Sequence, residues 1–406
     1  MEVVCPHLPE EIVVEILQRL PHDSVITSKR VCKSWYDIIK HESFVSNHFH
    51  RHLKFDTNTS LLFLHGLNYY KDSLDTISYD HDHDNDHLIP YVVEQSHTIG
   101  KLLHFVRGSF FERDRIRGLH CNGIIAFPKQ DTEIVFFNPT LKQFKILYTQ
   151  PLLDFVSIAH GFGYDQRANL YKYVKIFQSE SKYSHDDATM FRAQVCTLWI
   201  NSSGGGSVSS SWRETNIILP IKNTWFDDGV VYLKSVCYWL NLSEKQPQVV
   251  SSVEQPQIVS FDMCDEKFSM IPLPSDPEVS ITYQRALTVW KDESVTLFIM
   301  GKIHRDTFLI IEMWMMVVEN DSTYWRKHLT IAPTIGPILE YEFLKRLDFW
   351  NQEEFLIEGR NSASYVHIMS YNIRTKRIRR LDFSLEGVEL HYSTSYSKSL
   401  VSLLNN

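Results

Sequence analysis

The sequence has no excess of positive charge. Its 41 Lys and Arg residues are outnumbered by 49 Asp and Glu residues, which gives a formal net charge of −8. A protein that grips nucleic acid through its phosphates needs clustered positive charge, so we expect no nucleic acid among its partners. Only six residues are cysteine, and no Cys-x-x-Cys pair occurs. Scattered cysteines of this kind are typical of reduced core thiols.

Long apolar runs and targeting segments are also missing. The longest apolar run, residues 309–318, is short and is interrupted by Glu312, so we expect no membrane-spanning helix. The first eleven residues show no basic region followed by an apolar one, which is not the pattern of a signal peptide. These features predict a location in the cytoplasm or the nucleus.

Motifs for catalysis and metal binding are equally scarce. The sequence has no Gly-x-Ser-x-Gly elbow, phosphate-binding loop or His-Glu-x-x-His motif. The acidic segment 80–86 begins like a calcium loop, but Asn85 replaces the required glycine and Tyr91 the bidentate glutamate. Cys121 follows His120, and adjacent residues of a strand point to opposite faces, which favours a buried thiol over a nucleophile. We expect no enzymatic activity, no cofactor and no metal.

Apolar residues, in contrast, make up 43% of the chain and aromatic residues 13%. This supply suffices for a sizeable core, and the aromatic share favours β-structure. A chain of 406 residues exceeds one average domain. A short module joined to one large domain, or two domains of medium size, would account for this length.

The first fifty residues predict a small helical unit. Pro9 suits a first helical position, and Pro21 should end the first helix. Apolar residues recur between them at helical spacing: Ile12, Val13, Ile16, Leu17 and Leu20. Asp23 is expected to cap a second helix that runs to Val31. Further apolar residues predict a third helix and a short fourth turn: Trp35, Ile38, Ile39, Phe44, Val45 and Phe49.

These apolar positions outnumber what so small a bundle can cover. The surplus faces either a partner protein or the remainder of this chain, and the helical pattern alone leaves both alternatives open.

From about Leu61 onwards, short apolar or alternating runs between turn residues predict many strands. The runs cover residues 123–127, 133–137, 171–177, 195–200, 230–240, 257–261, 295–300, 312–318, 354–357 and 365–371. Many short strands without a long amphipathic helix between them predict an all-β sandwich, barrel or propeller.

A repeated element favours the propeller. Three times an aromatic residue precedes an Asn or Asp that can start a turn: Phe137-Asn138, Phe261-Asp262 and Tyr371-Asn372. Apolar residues follow each aromatic after seven and ten positions: Phe144 and Leu147, Phe268 and Ile271, Ile378 and Leu381. Segments 199–212 and 314–325 look like looser copies. Recurrence roughly every sixty residues is explained by radial repetition of small sheets.

The helical residues resemble the F-box motif, through Leu8-Pro9-x-Glu11-Ile12, Ile16-Leu17, Leu20-Pro21 and Val31-Cys32-Lys33-Ser34-Trp35. This resemblance implies binding to a Skp-family adaptor and, through it, to a cullin. It places ten residues at or near the adaptor interface: Leu8, Pro9, Ile12, Ile16, Leu17, Leu20, Pro21, Val31, Cys32 and Trp35. Thr27 and Ser28 depart from the motif, which usually has a basic and a bulky apolar residue there. We expect this to weaken packing of the second helix by about 1–2 kcal/mol.

The remainder, to Leu403, resembles the F-box-associated, kelch-like domain of plant F-box proteins. Its motifs include Asn122-Gly123, Phe137-Asn138-Pro139-Thr140, Gly161-Phe162-Gly163-Tyr164-Asp165, Tyr238-Trp239 and Ser399-Leu400-Val401-Ser402-Leu403. Within that family the chain is most similar to the S-locus F-box group, whose members recognise style S-RNases in pollen self-incompatibility. Relatives with clients in defence or development share the same motifs.

The expected fold is therefore α+β by domains, with a helical F-box over residues 1–52 and a large all-β, propeller-like domain over residues 53–406. The expected function is that of the non-catalytic substrate-recognition subunit of an SCF-type ubiquitin ligase, with a protein client. A scaffold that never joins a ligase, or an enzyme built on a propeller, is the alternative. Polar loops at residues 69–94, 178–190, 202–211 and 243–257 are predicted to select the client, and the acidic segment 80–86 could steer a basic one.

Overall fold

The computed structural model describes residues 8–55, 60–67, 71–78, 89–92, 119–129, 132–179, 190–198, 210–215, 224–243, 257–275, 277–278, 281–291, 293–302, 310–320, 322–331, 343–349, 352–360, 366–385 and 388–403. The chain begins with four helices: α1 (Glu10–Arg19), α2 (His22–Ser28), α3 (Lys33–Lys40) and α4 (Glu42–Phe55). Pro9 and Pro21 are the N-cap residues of α1 and α2. Both prolines therefore lie one residue outside the helix.

Three predictions about these helices are wrong. The second helix ends at Ser28 instead of Val31, and residues 29–31 form a turn. Asp23 lies inside the first turn of α2 and caps nothing, because the helix already begins at His22 and has no side-chain cap. The carboxylate instead pairs with Lys398 at 3.2 Å. The predicted short fourth turn is a helix of 14 residues, because the buried side of α4 continues beyond Val45 through His48 and Phe49.

The hydroxyls of Thr27 and Ser28, the residues that depart from the F-box pattern, are satisfied within α2. They donate to the carbonyl oxygens of Asp23 at 2.9 Å and Ser24 at 2.7 Å. Such backbone bonding by hydroxyls is mildly unfavourable in helices, and the predicted loss of packing energy stays a prediction. The domain boundary between residues 52 and 53 also stays a prediction. Helix α4 extends past it, to Phe55.

The strands of the described residues are β1 (Ser60–Leu67), β2 (Lys71–Ser78), β3 (Ile89–Val92), β4 (Leu119–Cys121), β5 (Ile124–Lys129), β6 (Glu133–Asn138), β7 (Gln143–Tyr148), β8 (Phe155–Asp165), β9 (Leu170–Ser179), β10 (Phe191–Leu198), β11 (Ser210–Thr215), β12 (Thr224–Leu233), β13 (Val236–Ser243), β14 (Gln257–Asp262), β15 (Lys267–Pro272), β16 (Ile281–Trp290), β17 (Ser294–Lys302), β18 (Ile310–Glu319), β19 (Ser322–Ile331), β20 (Phe343–Phe349), β21 (Glu354–Arg360), β22 (Val366–Asn372), β23 (Arg377–Leu385) and β24 (Val388–Tyr396).

These strands form six four-stranded antiparallel sheets. Five sheets use consecutive strands (β4–β7, β8–β11, β12–β15, β16–β19 and β20–β23), and the sixth has the order β24-β1-β2-β3. The first strands of successive sheets, β4, β8, β12, β16, β20 and β24, pack side by side in that order. Sheets arranged radially around their first strands make a propeller. The prediction of short N-terminal helices followed by a large all-β, propeller-like domain is confirmed.

The repeated element closes the hairpin between the third and fourth strands of a sheet. Each aromatic pairs directly with the apolar residue seven positions later: Phe137 with Phe144, Phe261 with Phe268, and Tyr371 with Ile378. The side-chain oxygens of Asn138, Asp262 and Asn372 each accept a bond from the backbone N–H three residues on, at 3.2, 2.9 and 2.8 Å. The predicted turn chemistry is therefore present in all three copies.

The run 230–240, which in sequence predicts one strand, forms the hairpin between β12 and β13. Lys234 and Ser235 make the turn, with φ of 48° and 66°. A two-residue turn of this hand needs positive φ at both positions, which Gly or Asn usually supplies. Lys-Ser gives no such signal in sequence. Burial of Ser235 and the bond that its hydroxyl accepts from the Gln166 N–H, at 3.3 Å, stabilise the turn instead.

Candidate protein-interaction site

The first helix carries a line of exposed apolar side chains. Leu8, Ile12 and Ile16 follow one another at four-residue spacing and are 58%, 47% and 44% exposed. Val31, in the turn before α3, is 62% exposed. Ile12 and Ile16 lie on the same side of α1 because they are four residues apart, whereas Leu8 precedes the N-cap residue Pro9. Large exposed apolar side chains such as these are candidates for contact with another protein. We call Leu8, Ile12, Ile16 and Val31 the apolar helix face.

The opposite side of the helices is consumed within the chain. Leu17, Val25, Ile39, Phe44 and Val45 are buried and share one core with strands β4–β6, strands β8–β10 and residues 400–403. Of the two alternatives left open by the sequence, packing on the remainder of this chain is therefore realised for one side of the bundle. The other side is exposed, and its contact with a partner stays a prediction.

The ten predicted adaptor-binding residues divide accordingly. Seven are exposed: Leu8, Pro9, Ile12, Ile16, Pro21, Val31 and Cys32. Leu20 and Trp35 are half-buried and pack against the shared core. Leu17 is completely buried, because on α1 it points away from the apolar helix face. It has no surface with which to touch a partner, so its role is to hold the bundle together.

Glu15 and Arg19 of α1 form an ion cluster with Arg51 of α4. Arg19 and Arg51 both contact the Glu15 carboxylate, at 2.6 and 3.2 Å. Hydrogen bonds from these guanidinium groups lower the pKa of Glu15. The Glu15–Arg51 pair links α1 to α4, although exposed ion pairs of this kind contribute little stability.

Three histidines cluster on the buried side of the bundle, where α2 meets α4. The ring centroids of His22, His48 and His52 lie 4.3–4.8 Å apart. The Nε2 atoms of His48 and His52 lie 2.9 and 3.2 Å from the Leu20 carbonyl oxygen, to which they can donate. Sequence reasoning missed this cluster, for which the four-residue spacing of His48 and His52 was the only signal.

Burial lowers the pKa of two of these rings, His22 and His48. It lowers the pKa of His22 to about 3, helped by the charges of His48, His52 and Lys398. Burial likewise lowers the pKa of His48 to about 4, against the bond to Leu20 that raises it. A base whose pKa is lower in the folded state than in the unfolded state is neutral in the fold and binds its proton on unfolding. The resulting stability is complete above the unfolded pKa near 6.5 and is lost as the pH falls below it. Among the described residues, no cluster of His, Cys, Asp and Glu has a geometry that could hold a metal ion.

The propeller has two unlike ends. The turns at Asn122 and Asn169, together with Tyr164 and Tyr171, line one small pocket with α4 residues such as Glu42. The connections between first and second strands therefore lie at the helix-facing end. Because strands alternate in direction, the connections between second and third strands leave the opposite end. We call this opposite end the far end.

Because the strands alternate in direction, the predicted client-binding loops do not all lie at the same end of the propeller. Residues 178–190 connect β9 to β10, where Gln178 pairs with Phe191 at the far end. Residues 243–257 connect β13 to β14, also at the far end, where Asn241 pairs with Gln257. The 202–211 loop instead follows Leu198, which pairs with Tyr171 at the helix-facing end. Two strands lie inside the predicted 69–94 loop, β2 (Lys71–Ser78) and β3 (Ile89–Val92), so the loop prediction is wrong for those residues. The other three loops lie largely outside the described residues, as does the acidic segment 80–86.

The far end also carries exposed apolar side chains that sequence reasoning missed. Leu153, in the connection from β7 to β8, is 88% exposed, and Met190, before β10, is 60% exposed. Tyr148 and Val156 at the adjoining strand ends are exposed as well. The available signal was the Pro151-Leu152-Leu153 run, where a solvated connection would have polar residues.

An ion network joins two sheets at the helix-facing end. The buried Lys172 ammonium group contacts the carboxylates of Asp165 at 2.7 Å and Glu266 at 2.8 Å. Glu266 also pairs with Arg213. Burial raises the pKa of Asp165, but the bonds from Lys172 and the Ala168 N–H outweigh it and lower that pKa to about 2. Both carboxylates are therefore charged partners that hold β8–β11 against β12–β15.

The proposed buried-thiol interpretation of Cys121 is confirmed. Its side chain is 1% exposed, and burial raises its pKa well above the ordinary value. Its neighbour His120 accepts the Gly123 N–H at 3.2 Å and packs edge-on against Tyr396. A thiol held neutral in the core is a poor nucleophile.

The helices among the described residues are all too short or too polar to span a membrane.

A helical module with exposed apolar side chains, packed on one end of a β-propeller, is the architecture of a protein-interaction molecule. Residues 82–403 match the model of the F-box associated beta propeller domain, and residues 5–47 match that of the F-box domain. The chain belongs to the F-box-associated β-propeller family, and it is an F-box substrate-recognition protein. Proteins of this class are generally non-catalytic.

Similar proteins come from Arabidopsis thaliana. F-box protein At3g20690 is 24% identical over 373 residues, covering 89% of each chain. F-box protein At2g17830 is 24% identical over 335 residues, covering 79% of this chain and 76% of its own. Neither name refers to the S-locus group, so that assignment stays a prediction. A solved oligogalacturonate lyase is 9% identical with a TM-score of 0.37, covering 76% of this chain and 70% of its own; so weak a likeness carries no argument.

Proposed function

We propose that this protein is the substrate-recognition subunit of an SCF-type ubiquitin ligase. The observation that carries the proposal is the division of the helical bundle into two sides. Leu17 and Val25 are fully buried in the core shared with the propeller, while Ile12 and Ile16 on the other side remain almost half exposed. Helices that served only to cap the propeller would have no reason to keep large apolar side chains in water.

The apolar helix face would dock on a Skp-family adaptor and thereby on a cullin. A few buried anchors carry most of the energy of such an interface, and Leu8, Ile12, Ile16 and Val31 are the large apolar candidates. Pro9, Pro21 and Cys32 would surround them, while Leu20 and Trp35 would contribute the part of their surface that the core leaves open. Leu17 is not among the contacts, because it is completely buried.

The client would bind at the far end of the propeller. The helices occupy the helix-facing end, whereas the far end offers the strand ends that flank residues 178–190 and 243–257. It also exposes Leu153 and Met190, which are suited to anchor an apolar segment of a client. Holding the client at one end and the scaffold at the other raises the effective concentration of client lysines near the activated ubiquitin.

Reconstitution with a purified plant Skp adaptor and cullin tests the proposal. The intact chain should co-purify with both proteins, and a variant with Pro9→Ala, Ile12→Asp and Ile16→Asp should lose the adaptor. The variant should keep the circular dichroism spectrum of a folded β-protein, since all three residues are exposed. If the intact chain does not bind the adaptor, the scaffold alternative takes the place of the ligase.

A style S-RNase is the narrower proposal for the client. It rests on the sequence resemblance to the S-locus F-box group and on the acidic segment 80–86, which could attract a basic ribonuclease. Affinity capture under proteasome inhibition, with the protein tagged in plant cells, should recover the client in the cytoplasm or nucleus. A capture that yields defence or developmental proteins and no ribonuclease would remove the S-RNase proposal and leave the ligase proposal intact.

A further inference from the structure

We propose that the C-terminal segment, residues 397–403, fixes the orientation of the F-box helices on the propeller, and that Asn138 is the positioning residue that holds this segment. The proposal deepens the proposed function, because it assigns a residue that sets the geometry between scaffold and client. Its observations come from the isolated chain and do not depend on adaptor binding.

The attachment to the propeller begins at Asn138. This side chain is completely buried, and its Nδ2 group donates to two carbonyl oxygens of the segment, Ser399 O at 3.0 Å and Val401 O at 2.7 Å. Both amide hydrogens are therefore used by residues that lie more than 260 positions away in sequence. One side chain thus satisfies two buried backbone acceptors that would be costly to leave unpaired.

Neighbouring residues of the same hairpin complete the attachment. The Ser399 N–H donates to the Thr140 hydroxyl at 3.0 Å. The Leu403 N–H donates to Gln143 Oε1, also at 3.0 Å. Gly123, with a φ of 75°, lies so close that an added Cβ would come within 2.6 Å of the Ser397 carbonyl oxygen. The segment therefore runs against the turns of the β4–β7 sheet and is held there by backbone hydrogen bonds at Ser399, Val401 and Leu403.

The other side of the segment contacts the helices. Lys398 pairs with Asp23 of α2 at 3.2 Å. Val401 lines the same pocket as Val45 and Phe49 of α4. Leu400, Val401 and Leu403 are buried, and they belong to the same core as Leu17, Val25 and Ile39 of the helices. The segment is consequently a layer between the bundle and the propeller.

The propeller's own repeat shows that the amide of Asn138 does more than make a turn. Asp262 and Asn372 occupy the same place in other sheets, and their side-chain oxygens make the same turn bond. The Asn372 amide donates within its own sheet, to Glu354 at 3.1 Å, and Asp262 has no amide at all. The turn requires only the side-chain oxygen, so the two bonds from Asn138 Nδ2 serve the C-terminal segment.

The repeat thus offers a test substitution and a matched control, each of which exchanges a side-chain amide and a carboxylate. Asn138→Asp keeps the oxygen that makes the turn, removes both donated hydrogen bonds and puts a carboxylate against two carbonyl oxygens. Asp262→Asn makes the reverse exchange at the same repeat position, in a turn where the Asp262 carboxylate accepts bonds from the N–H groups of Cys264 and Asp265. Both variants are to be studied in the full chain at pH 8, so that the new carboxylate is charged.

Two measurements report on orientation. Amide hydrogen exchange should accelerate on the order of 10-fold or more at residues 399–403 and in α2 and α4 of the Asn138→Asp variant, and stay unchanged in β16–β23. Nitroxides at exposed positions 30 and 376 should give one narrow distance distribution in the unmodified chain and a clearly broader one in Asn138→Asp. Asp262→Asn should match the unmodified chain in both measurements.

An Asn138→Asp variant with unchanged exchange and distances would overturn the proposal, and so would equal acceleration throughout all sheets, which would indicate only a general loss of stability. If that variant does not fold, Lys398→Ala with Val401→Ala, which weakens the contacts to the helices, decides by the same criteria. Adaptor binding separates the two proposals. A chain that loosens as described but never binds the adaptor supports the positioning role and refutes the ligase function.

Discussion

The clearest quantitative consequence of the two-sided bundle concerns Ile12, Ile16 and Leu17, three apolar residues of one helix. Ile12 and Ile16 are 47% and 44% exposed, whereas Leu17 has no exposure. Docking can therefore bury roughly 80 Å² at each isoleucine, worth about 2 kcal/mol each at 25 cal/mol per Å². Truncation to alanine removes most of that surface, so Ile12→Ala with Ile16→Ala should cost about 3 kcal/mol of binding, on the order of 100-fold in Kd.

Folding stability should respond in the reverse way: Leu17→Ala should lower the free energy of unfolding, and the double isoleucine variant should leave it nearly unchanged. The double isoleucine variant should change the free energy of unfolding by no more than about 0.5 kcal/mol, because its side chains lie at the surface. Leu17→Ala should lower it by about 2–5 kcal/mol through the cavity it leaves, while the folded fraction binds the adaptor nearly normally. Calorimetric titration with purified adaptor and urea unfolding measure the two quantities. A change in Kd below about threefold for the double variant, or weaker binding by folded Leu17→Ala than by that variant, would refute the reasoning.

Two further predictions concern the buried ionisable groups. Lowering the pH from 7 to 5 should reduce the free energy of unfolding by about 2 kcal/mol for each of His22 and His48, because both bind a proton only on unfolding. Urea titrations at the two pH values should show that His22→Phe removes about half of this loss. An unchanged pH dependence in that variant would contradict the prediction. Lys172→Met should destabilise the propeller by about 3–5 kcal/mol, because it leaves the buried carboxylate of Asp165 without its main partner. Adding Asp165→Asn should restore part of that loss in thermal unfolding, and a double variant no more stable than the single one would show that the pair does not act as a unit.

Those parts of the fold that rest on local chemistry could be predicted from the sequence. The aromatic–Asx repeat identified three hairpins correctly, because a side-chain oxygen, a backbone N–H three residues on and a residue pair across the strands are all set within about ten positions. The helical stripe of α1 could be predicted for the same reason. What the stripe could not show is which residues face inward, since that depends on packing against residues 400–403.

Features that depend on distant parts of the chain escaped prediction. Asp23 looks like a helix cap in sequence, but its partner is Lys398, 375 positions away. The histidine cluster needs α2 and α4 to meet, and the Lys234-Ser235 turn is stabilised by a residue of another sheet. The complete burial of Leu17 escaped prediction similarly, because motif resemblance does not distinguish a residue that contacts a partner from one that supports it.

The bonds from Asn138 to Ser399 and Val401 also set an order of events during synthesis. A ribosome that adds 5–20 residues per second needs roughly 13–53 s to translate the 263 positions that separate Asn138 from Val401. During that interval Leu17, Val25 and Phe44 have emerged without residues 400–403, with which they share a core. The helices that would recruit a degradation scaffold therefore cannot complete the core that they share with residues 400–403 until translation has passed β24, the strand that precedes that segment.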